Sequence, residues 1–342
     1  MRRTMQRAFV AILLLAWAVA ISFAQSPTPV TVDNFNRAES DMYFATVVKQ
    51  AGGVGKFHHH REVMRIDDQT VIRANRDTLY SAGVFDLDAS PVTITLPDPG
   101  KRFMSMIVID QDQYAPETVS APRTFTYTKD KIGTRYVMLG IRTFIDPGDP
   151  KDLERVHALQ DAIKVDQKSA GLFEVPNWDK ESQKKVRDAL IVLAGTILDT
   201  VGMFGPRDQV DPVRHLIGSA TGWGGNAPKD ATYLTVVPRK NDGKTIHKLT
   251  VKDVPVDGFW SVSVYNAAGY FEKNNLDAYS LNNITAEKTS DGSVTIQFGG
   301  CDGKIPNCLP ITAGWNYWVR LYRPRAEILN GTWKFPEPQP VN

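Results

Sequence analysis

Residues 72–81, Ile-Arg-Ala-Asn-Arg-Asp-Thr-Leu-Tyr-Ser, carry the densest group of chemically specific side chains in the chain. The segment holds an amide, two guanidinium groups, a carboxylate, two hydroxyl groups and a phenol. Guanidinium groups and amides are suited to orienting a carboxylate or another planar polar group. The segment therefore predicts part of a site for a polar or anionic ligand, with binding roles for Arg73, Asn75 and Arg76.

Three residues are candidates for proton transfer, namely Asp77, Tyr80 and His215. Asp77 would be the general base, and His215 could exchange protons near neutral pH if a carboxylate faces it. The alternative for His215 is a buried, hydrogen-bonded helix histidine. No nucleophile elbow, zinc-protease helix or phosphate loop occurs, and Ser219 lacks the second glycine that an elbow requires. These residues predict a location for a site but no reaction.

A second polar group follows two strand-like segments near the C-terminus. Because side chains alternate along a strand, residues 315–322 place Trp315, Tyr317, Val319 and Leu321 on one face, and Trp318, Arg320 and Tyr322 on the other. We expect the first face to be core. On the second face Arg320 could bind a carboxylate ligand or stack on a ring, or it could pair with a carboxylate of a neighbouring strand.

Residues 259–266 show a similar division, with Ser261, Ser263 and Tyr265 on one face. Together with Asn282 these side chains could form the polar part of a ligand pocket. Cross-strand and turn hydrogen bonding is the alternative explanation for them. The predicted ligand set from this half of the chain is Tyr265, Asn282, Trp318, Arg320 and Tyr322.

His58, His59 and His60 invite comparison with metal-binding strands, since His58 and His60 would share a face of an extended segment. Only Glu62 accompanies them, whereas a zinc site needs at least three protein ligands. We therefore predict no metal and no other cofactor, and we expect these histidines to lie in a polar loop.

Export is predicted from residues 1–24. They combine Arg2, Arg3 and Arg7 with an apolar run over 8–23 and the small residues Ser22 and Ala24, as in a secretory signal peptide cleaved after Ala24. The apolar run is shorter than the roughly 20 residues of a spanning helix. We expect a periplasmic or secreted protein.

Charge excludes several partners. Lysines and arginines number 40 and acidic residues 38, and three of the arginines lie in the predicted signal peptide. The remaining chain is nearly neutral and has no basic block, so neither nucleic acid nor, after signal cleavage, a membrane is an expected partner. A small-molecule ligand is expected, and a homo-oligomer is left open.

The two cysteines, Cys301 and Cys308, enclose Asp-Gly-Lys-Ile-Pro-Asn. In an oxidising compartment a short-loop disulfide is the expected state. A metal pair or a redox centre is the alternative, but six intervening residues match neither zinc spacings nor Cys-x-x-Cys.

The order of the elements predicts a mainly β chain with a helical middle segment. Asp33 is expected to cap a helix that ends at Gly52, with Phe35, Ala38, Met42, Ala45 and Val48 on one face. Strands are predicted over 71–74, 79–87, 92–96, 103–109, 123–128 and 136–145, followed by helices over 150–163, 180–204 and 212–221. Further strands are predicted over 233–237, 247–251, 259–265, 293–298 and 315–323, and the proline-rich tail is expected to cover an edge without forming a ladder. The predicted domains are 25–147, the helical segment 148–228, and 229–342.

Five motifs together resemble the paired bacterial exported families of unknown function 1254 and 1214. They are Phe-Asn-Arg-Ala-Glu-Ser-Asp at 35–41, Asn-Arg-Asp-Thr-Leu-Tyr-Ser at 75–81, Val-Pro-Val-Asp-Gly-Phe-Trp-Ser-Val-Ser-Val-Tyr-Asn at 254–266, Tyr-Ser-Leu-Asn-Asn at 279–283 and Trp-Asn-Tyr-Trp-Val-Arg-Leu-Tyr-Arg-Pro at 315–324. The resemblance implies an N-terminal immunoglobulin-like sandwich and a C-terminal jelly-roll sandwich. Many relatives carry Asn-Trp-Leu-Pro where this chain has Asn307-Cys308-Leu309-Pro310, which suggests that a disulfide replaces an aromatic plug. The families supply no activity.

Two hypotheses follow. The first is an exported protein with a small-molecule pocket between its two β domains, with or without metal-independent catalysis, in which Arg37 joins the residues of 73–80. The second is a non-catalytic binding or assembly module of the cell envelope, in which the same side chains form buried bridges between the domains. An open cleft at these residues favours the first hypothesis, and a closed interface favours the second.

Overall fold

The computed structural model of the chain describes residues 26–69, 72–197 and 199–341, so the predicted signal peptide at 1–24 lies outside the described residues. The chain is mainly β, as predicted, with sixteen strands in four sheets across these ranges. Within them no helix is both long and apolar enough to cross a bilayer.

Two sheets form the N-terminal half. Hydrophobic side chains of both sheets, among them Phe85, Ile94, Met106 and Leu139, pack into one core, so the sheets lie face to face. The five-stranded sheet has the order β1-β2-β7-β4-β5, and the three-stranded sheet has the order β6-β3-β8. The strands are β1 Phe57–His59, β2 Thr78–Asp86, β3 Val92–Leu96, β4 Met104–Asp110, β5 Glu117–Ser120, β6 Arg123–Tyr127, β7 Tyr136–Phe144 and β8 Lys164–Gln167.

The strands predicted in this half are confirmed apart from 71–74. Residues 72 and 73 form a turn in which Arg73 has a φ of 52°, and β2 begins only at Thr78. Residues 74–77 are therefore irregular backbone leading into a strand, and their side chains need not alternate between two faces. Strands β1, β5 and β8 were also not predicted. Strand β1 contains His58 and His59, so the expectation of a polar loop is wrong for these two residues, and β8 belongs to the segment expected to be helical.

Six helices are present in the described residues: α1 Phe35–Ala51, α2 Lys129–Ile132, α3 Pro150–Asp161, α4 Lys180–Ala194, α5 Pro212–Thr221 and α6 Ala326–Leu329. As predicted, α3 and α5 begin with proline after a capping aspartate, Asp149 and Asp211. The prediction that the helix from 180 extends to 204 is wrong, because α4 ends at Ala194 before Gly195.

The predicted details of α1 are partly wrong. Gly52 ends the helix in the left-handed conformation, as expected, but the residue before the first turn is Asn34 rather than Asp33. Met42 and Ala45 are exposed, and the buried face includes Glu39, Ser40 and Asp41. Polar contacts with other elements make this burial favourable, which apolar spacing alone cannot predict.

Two four-stranded sheets form the C-terminal half, with the orders β14-β13-β10-β16 and β12-β11-β15-β9. They share a core that includes Val262, Ile296, Phe298 and Trp315. The face predicted as core over 315–321 is buried there. The strands are β9 Ala231–Val236, β10 His247–Val251, β11 Trp260–Tyr265, β12 Ser280–Asn282, β13 Val294–Phe298, β14 Cys308–Leu309, β15 Asn316–Tyr322 and β16 Gln339–Pro340.

The predicted disulfide between Cys301 and Cys308 is present, with the two Cα atoms 5.6 Å apart. The tail covers the edge of β10 as predicted, but it does so by pairing as β16, which corrects the expectation that it forms no ladder.

Candidate functional site

The carboxylate of Asp77 is completely buried where the N-terminal half meets the C-terminal half. Its Oδ1 accepts a hydrogen bond of 3.2 Å from Nδ2 of Asn282, at the end of β12. Its Oδ2 and the hydroxyl of Ser261 are both buried without a hydrogen-bond partner in the described structure. Burial raises the pKa of Asp77, although the positive charge of Arg320 opposes the shift.

Arg320, on the central strand β15, is 2% exposed. Its guanidinium donates to the hydroxyl of Ser263 at 2.8 Å and to the phenol of Tyr265 at 2.7 Å. It also donates to the backbone carbonyls of Arg73 at 2.8 Å and Ala74 at 3.0 Å. Arg320 thus binds the irregular segment before β2 through neutral oxygens, and the predicted alternative of a carboxylate partner on a neighbouring strand is wrong.

Asn75 connects the two halves at a second point. Its Nδ2 lies 3.0 Å from the phenol oxygen of Tyr322 and 3.2 Å from that of Tyr80, and its Oδ1 accepts from the backbone N–H of Asp77. One amide therefore fixes the turn before β2 and holds two phenols together. Burial opposes ionisation of Tyr80, but the nearby Arg142 and the hydrogen bonds from Thr78 and Asn75 outweigh it, so the pKa of Tyr80 lies below its ordinary value.

The remaining arginines of the segment contact aromatic rings. The guanidinium carbon of Arg73 lies 5.4 Å from the ring centre of Trp318, and that of Arg320 lies 5.5 Å from the same ring. Arg76 lies 5.3 Å from the ring centre of Tyr279 and donates to a backbone carbonyl. These are cation–π contacts rather than ion pairs.

The structure thus brings most of the predicted residues together, although they are about 200 positions apart in sequence. Arg37 and His215 do not join them. Arg37 pairs with Asp112 at 2.8 Å, and the ring nitrogens of His215 lie 2.9 Å and 3.0 Å from the carbonyls of Asp112 and Met203. No carboxylate faces those nitrogens, so the condition for acid–base work by His215 is not met.

A cavity of about 210 Å³ lies beside this cluster, between the two β domains. On the N-terminal side Ser105, Ser120 and Arg142 line it, and they are cross-strand neighbours on one face of the five-stranded sheet. Tyr322 lines the opposite side, so the cavity begins where the buried cluster ends. Arg37 and His215 both contact Asp112, whose backbone N–H donates to Asp110 at the end of β4. Asp110 is five residues farther along β4 than Ser105, so it lies roughly 17 Å from that cavity residue.

Arg142 is the chemically most specific residue of the cavity. Its guanidinium lies 5.7 Å from the ring centre of Tyr80 and donates to Oδ1 of Asn226 at 3.3 Å. Burial opposes its charge, but the phenols of Tyr80, Tyr233 and Tyr322 outweigh it and the pKa of Arg142 lies above its ordinary value. Arg142 is therefore charged at every physiological pH.

Carboxylates also reach the cavity. Asp257 is held by Arg325 at 2.7 Å, whereas Asp230 is half-buried beside Thr118 and Lys229. Burial raises the pKa of Asp230, and Lys229, Thr118 and Arg142 oppose the shift. A carboxyl group in this setting can hold a proton or accept a hydrogen bond from a ligand.

Four arginines where the two halves meet form no close ion pair in the part of the chain that the structure describes. In the described residues no carboxylate oxygen lies within 4.0 Å of a guanidinium nitrogen of Arg73, Arg76, Arg142 or Arg320. The other buried arginine contacts of the molecule do include carboxylates, as in the pairs Arg187–Glu39 and Arg102–Asp152. These four arginines are held by neutral oxygens and aromatic rings, although Asp77 lies close enough for its charge to act on Arg320.

Sequence reasoning missed Arg142, Asn226 and Asp230. Arg142 did carry a signal, because it is the one charged residue in the otherwise uncharged strand Tyr136–Phe144. Asn226 and Asp230 follow α5 in a glycine- and proline-containing loop, where such residues are common for reasons of turn structure alone.

The histidines at 58–60 were the candidates for a metal site. The rings of His58 and His60 lie 4.7 Å apart, and His59 lies 2.7 Å from the hydroxyl of Ser81. Across the described ranges no group of three or more His, Cys, Asp or Glu side chains is arranged to hold a metal ion.

Fold and site together define a mainly β protein whose N-terminal and C-terminal halves meet through buried polar side chains beside a polar cavity. The chain matches two family models in N- to C-terminal order: Protein of unknown function DUF1254 over residues 54–124 and Protein of unknown function DUF1214 over 237–326. The predicted resemblance to this pair of families is confirmed. The matched ranges include residues 73–80 and Arg320, but not Arg142, Asn226 or Asp230.

A solved structure shares this fold. The VPA0106 protein from Vibrio parahaemolyticus is 19% identical, with 91% of this chain and 98% of that chain covered and a TM-score of 0.70. An uncharacterised protein from Burkholderia cenocepacia is 13% identical, with 90% and 86% covered and a TM-score of 0.49. The first likeness shows a shared fold only. A search of the curated proteins found no match.

Proposed function

We propose that this protein binds a small anionic molecule in the cavity between its two β domains, with the guanidinium of Arg142 as the anchor. The observation that carries the proposal is a charged arginine that lines a cavity and has an amide oxygen, but no carboxylate, within hydrogen-bond reach in the described structure. A carboxylate ligand would accept two parallel hydrogen bonds from such a group.

The rest of the cavity is suited to the same ligand. Ser105 and Asn226 are each 5% exposed and offer further hydrogen-bonding groups, and Tyr322 is held by Asn75. The buried cluster at Asp77 and Arg320 fixes the angle between the domains and therefore the shape of the cavity. A preorganised site of this kind needs little reordering when the ligand binds.

The cavity volume of about 210 Å³ is suited to a small ligand. Short-chain carboxylates and similar oxyanions are the ligand class that we propose.

Thermal denaturation with a panel of acetate, propionate, lactate and succinate tests the proposal. At least one member should raise the melting temperature of the wild-type protein, since a ligand at 100 times its Kd adds about 2.7 kcal/mol to the unfolding free energy. Arg142→Gln should lose this increase, whereas Arg239→Gln, at an exposed arginine, should retain it. Equal increases in wild type and Arg142→Gln, or none with any member, would refute the proposal.

We also propose that the protein acts outside the cytoplasm. The signal-like residues 1–24 and the disulfide Cys301–Cys308 support this location, because structural disulfides persist in oxidising compartments. The mass of the protein in a periplasmic extract should correspond to cleavage after Ala24. Recovery of the uncleaved chain from the cytoplasm alone would contradict export.

The closed packing around Asp77 favours a second candidate, the non-catalytic envelope module. Asp77, Asn282, Tyr265 and Arg320 are each at most 2% exposed, so they form a joint and do not line the cavity. The roles predicted for them in ligand contact or catalysis remain predictions. If the carboxylate panel leaves the wild-type melting temperature unchanged, this second candidate is the better account of the fold.

A further inference from the structure

We infer that the ligand is a small zwitterion, a carboxylate that also carries an ammonium group, held between Arg142 and Asp230. The inference rests on the proposed function and names the ligand class of the same cavity. Arg142 and Asp230 line one cavity with opposite charges, and no oxygen of Asp230 lies within 4.0 Å of a nitrogen of Arg142. A ligand with a negative and a positive group can bridge this gap.

Asp230 is the carboxylate that a ligand could use. The other cavity carboxylate, Asp257, is already held by Arg325, whereas no lysine or arginine nitrogen of the described residues lies within 4.0 Å of the Asp230 carboxylate. Lys229 is adjacent in sequence but exposed. A carboxylate half-buried without such a partner is stabilised by a cation brought by the ligand.

Thr118 places a hydroxyl on the same wall of the cavity. It lines the cavity on β5 beside Asp230, and it lowers the pKa of that carboxyl group. An ammonium group has three N–H donors, so one group could bond to both the carboxylate of Asp230 and the hydroxyl of Thr118.

A simple anion suits this arrangement less well. Its charge would be attracted by Arg142 but repelled by an ionised Asp230 on the same cavity wall. The ammonium of a zwitterion removes this repulsion and adds an attraction. The cavity volume of about 210 Å³ is suited to small amino carboxylates.

Isothermal titration with propionate, L-alanine and β-alanine tests the inference, because the three differ only in the presence and position of an ammonium group. The tighter-binding amino acid should bind wild type at least tenfold more tightly than propionate. Asp230→Asn should remove this preference, because it weakens amino acid binding and leaves propionate binding as tight as in wild type or tighter once the repulsion is gone. Thr118→Val should reduce amino acid affinity at least threefold while changing propionate affinity less than twofold, and Arg142→Gln should weaken binding of all three compounds.

The outcomes separate this inference from the proposed function. If propionate binds as tightly as both amino acids, or if Asp230→Asn still prefers an amino acid to propionate, the inference of a zwitterionic ligand is wrong. The proposal that Arg142 binds an anion then still stands. If none of the three binds wild type while the carboxylate panel also leaves the melting temperature unchanged, both fail. A melting temperature of Asp230→Asn close to that of wild type verifies that the variant is folded.

Discussion

Burial raises the pKa of several carboxyl groups in the described residues, and the surroundings of three of them differ. Asp77 accepts from one side-chain amide, Asp230 faces a cavity, and Asp110 accepts from the backbone N–H groups of Asp112 and Tyr114 at 2.8 Å and 2.9 Å. For Asp110, burial and the neighbouring Asp112 carboxylate raise the pKa from 3.8 to about 7. Hydrogen bonds that satisfy an oxygen therefore do not by themselves hold a carboxyl group in its charged form.

A pH effect on stability follows for Asp110. Because the folded-state pKa lies above the unfolded value, the folded protein binds the proton more tightly, and the unfolding free energy falls as pH rises from about 4 to about 7. Asp110→Asn keeps the acceptor oxygen and removes the charge. We expect it to be nearly neutral at pH 4 and stabilising by about 1 to 3 kcal/mol at pH 8.

Urea denaturation at both pH values measures the Asp110 effect. Asp68→Asn, at an exposed carboxylate, is the matched control and should differ from wild type by less than about 0.5 kcal/mol. If the unfolding free energies of Asp110→Asn and wild type differed by the same amount at pH 8 as at pH 4, the account would be contradicted.

The sequence signals for site residues were local. Arg73, Asn75, Asp77 and Tyr80 were predicted as a group because they crowd one segment, and the structure places them at the domain interface. Arg142 is a single charge in an apolar strand, and its partner Asn226 is 84 residues away. Whether such a residue meets a cavity depends on long-range packing, which one sequence without relatives does not reveal.

At the scale of elements, short β-branched and aromatic runs bounded by turn residues predicted most strands. Helix α1 was placed correctly, but its buried face was not, since Glu39 is 1% exposed and forms two hydrogen bonds of 2.8 Å and 2.6 Å to Arg187 on α4. Gln183 of α4 donates to the same carboxylate at 2.9 Å. The α1–α4 contact therefore depends on a buried ion pair, which the spacing of apolar residues does not predict.

Glu39→Ala should destabilise the protein by about 2 to 4 kcal/mol, because it leaves the buried donors of Gln183 and Arg187 without their acceptor. Lys184→Ala is the control on the same helix, where an exposed pair with Asp188 should contribute less than about 0.5 kcal/mol. Chemical denaturation measures both values. A Glu39→Ala effect no larger than that of Lys184→Ala would show that the pair does not hold α1.

At the scale of the whole molecule, two β domains meet through apolar and polar contacts. Phe103 and Phe144 of the N-terminal half pack against Phe259 and Tyr322 of the C-terminal half. Arg320 adds hydrogen bonds to the carbonyls of Arg73 and Ala74. The order of β-rich and helical segments was predictable from changes in the spacing of apolar residues. The contact between the two halves was not predictable, because it forms from irregular backbone at residues 73–77.

Arg320→Met should weaken this joint, since it removes four hydrogen bonds to buried oxygens while retaining an unbranched apolar stem. We expect a loss of at least about 3 kcal/mol and two resolved unfolding transitions in place of one. Differential scanning calorimetry measures both effects, with Arg239→Met as the exposed control. A single transition at the wild-type temperature would show that the apolar contacts alone couple the domains.

The most direct test of the central claim is a crystal structure of the protein soaked with the tightest-binding member of the carboxylate and amino acid panels. We predict electron density for the ligand in the cavity, with its carboxylate within about 3 Å of the guanidinium of Arg142. A ligand bound elsewhere while the cavity holds only water would contradict the account.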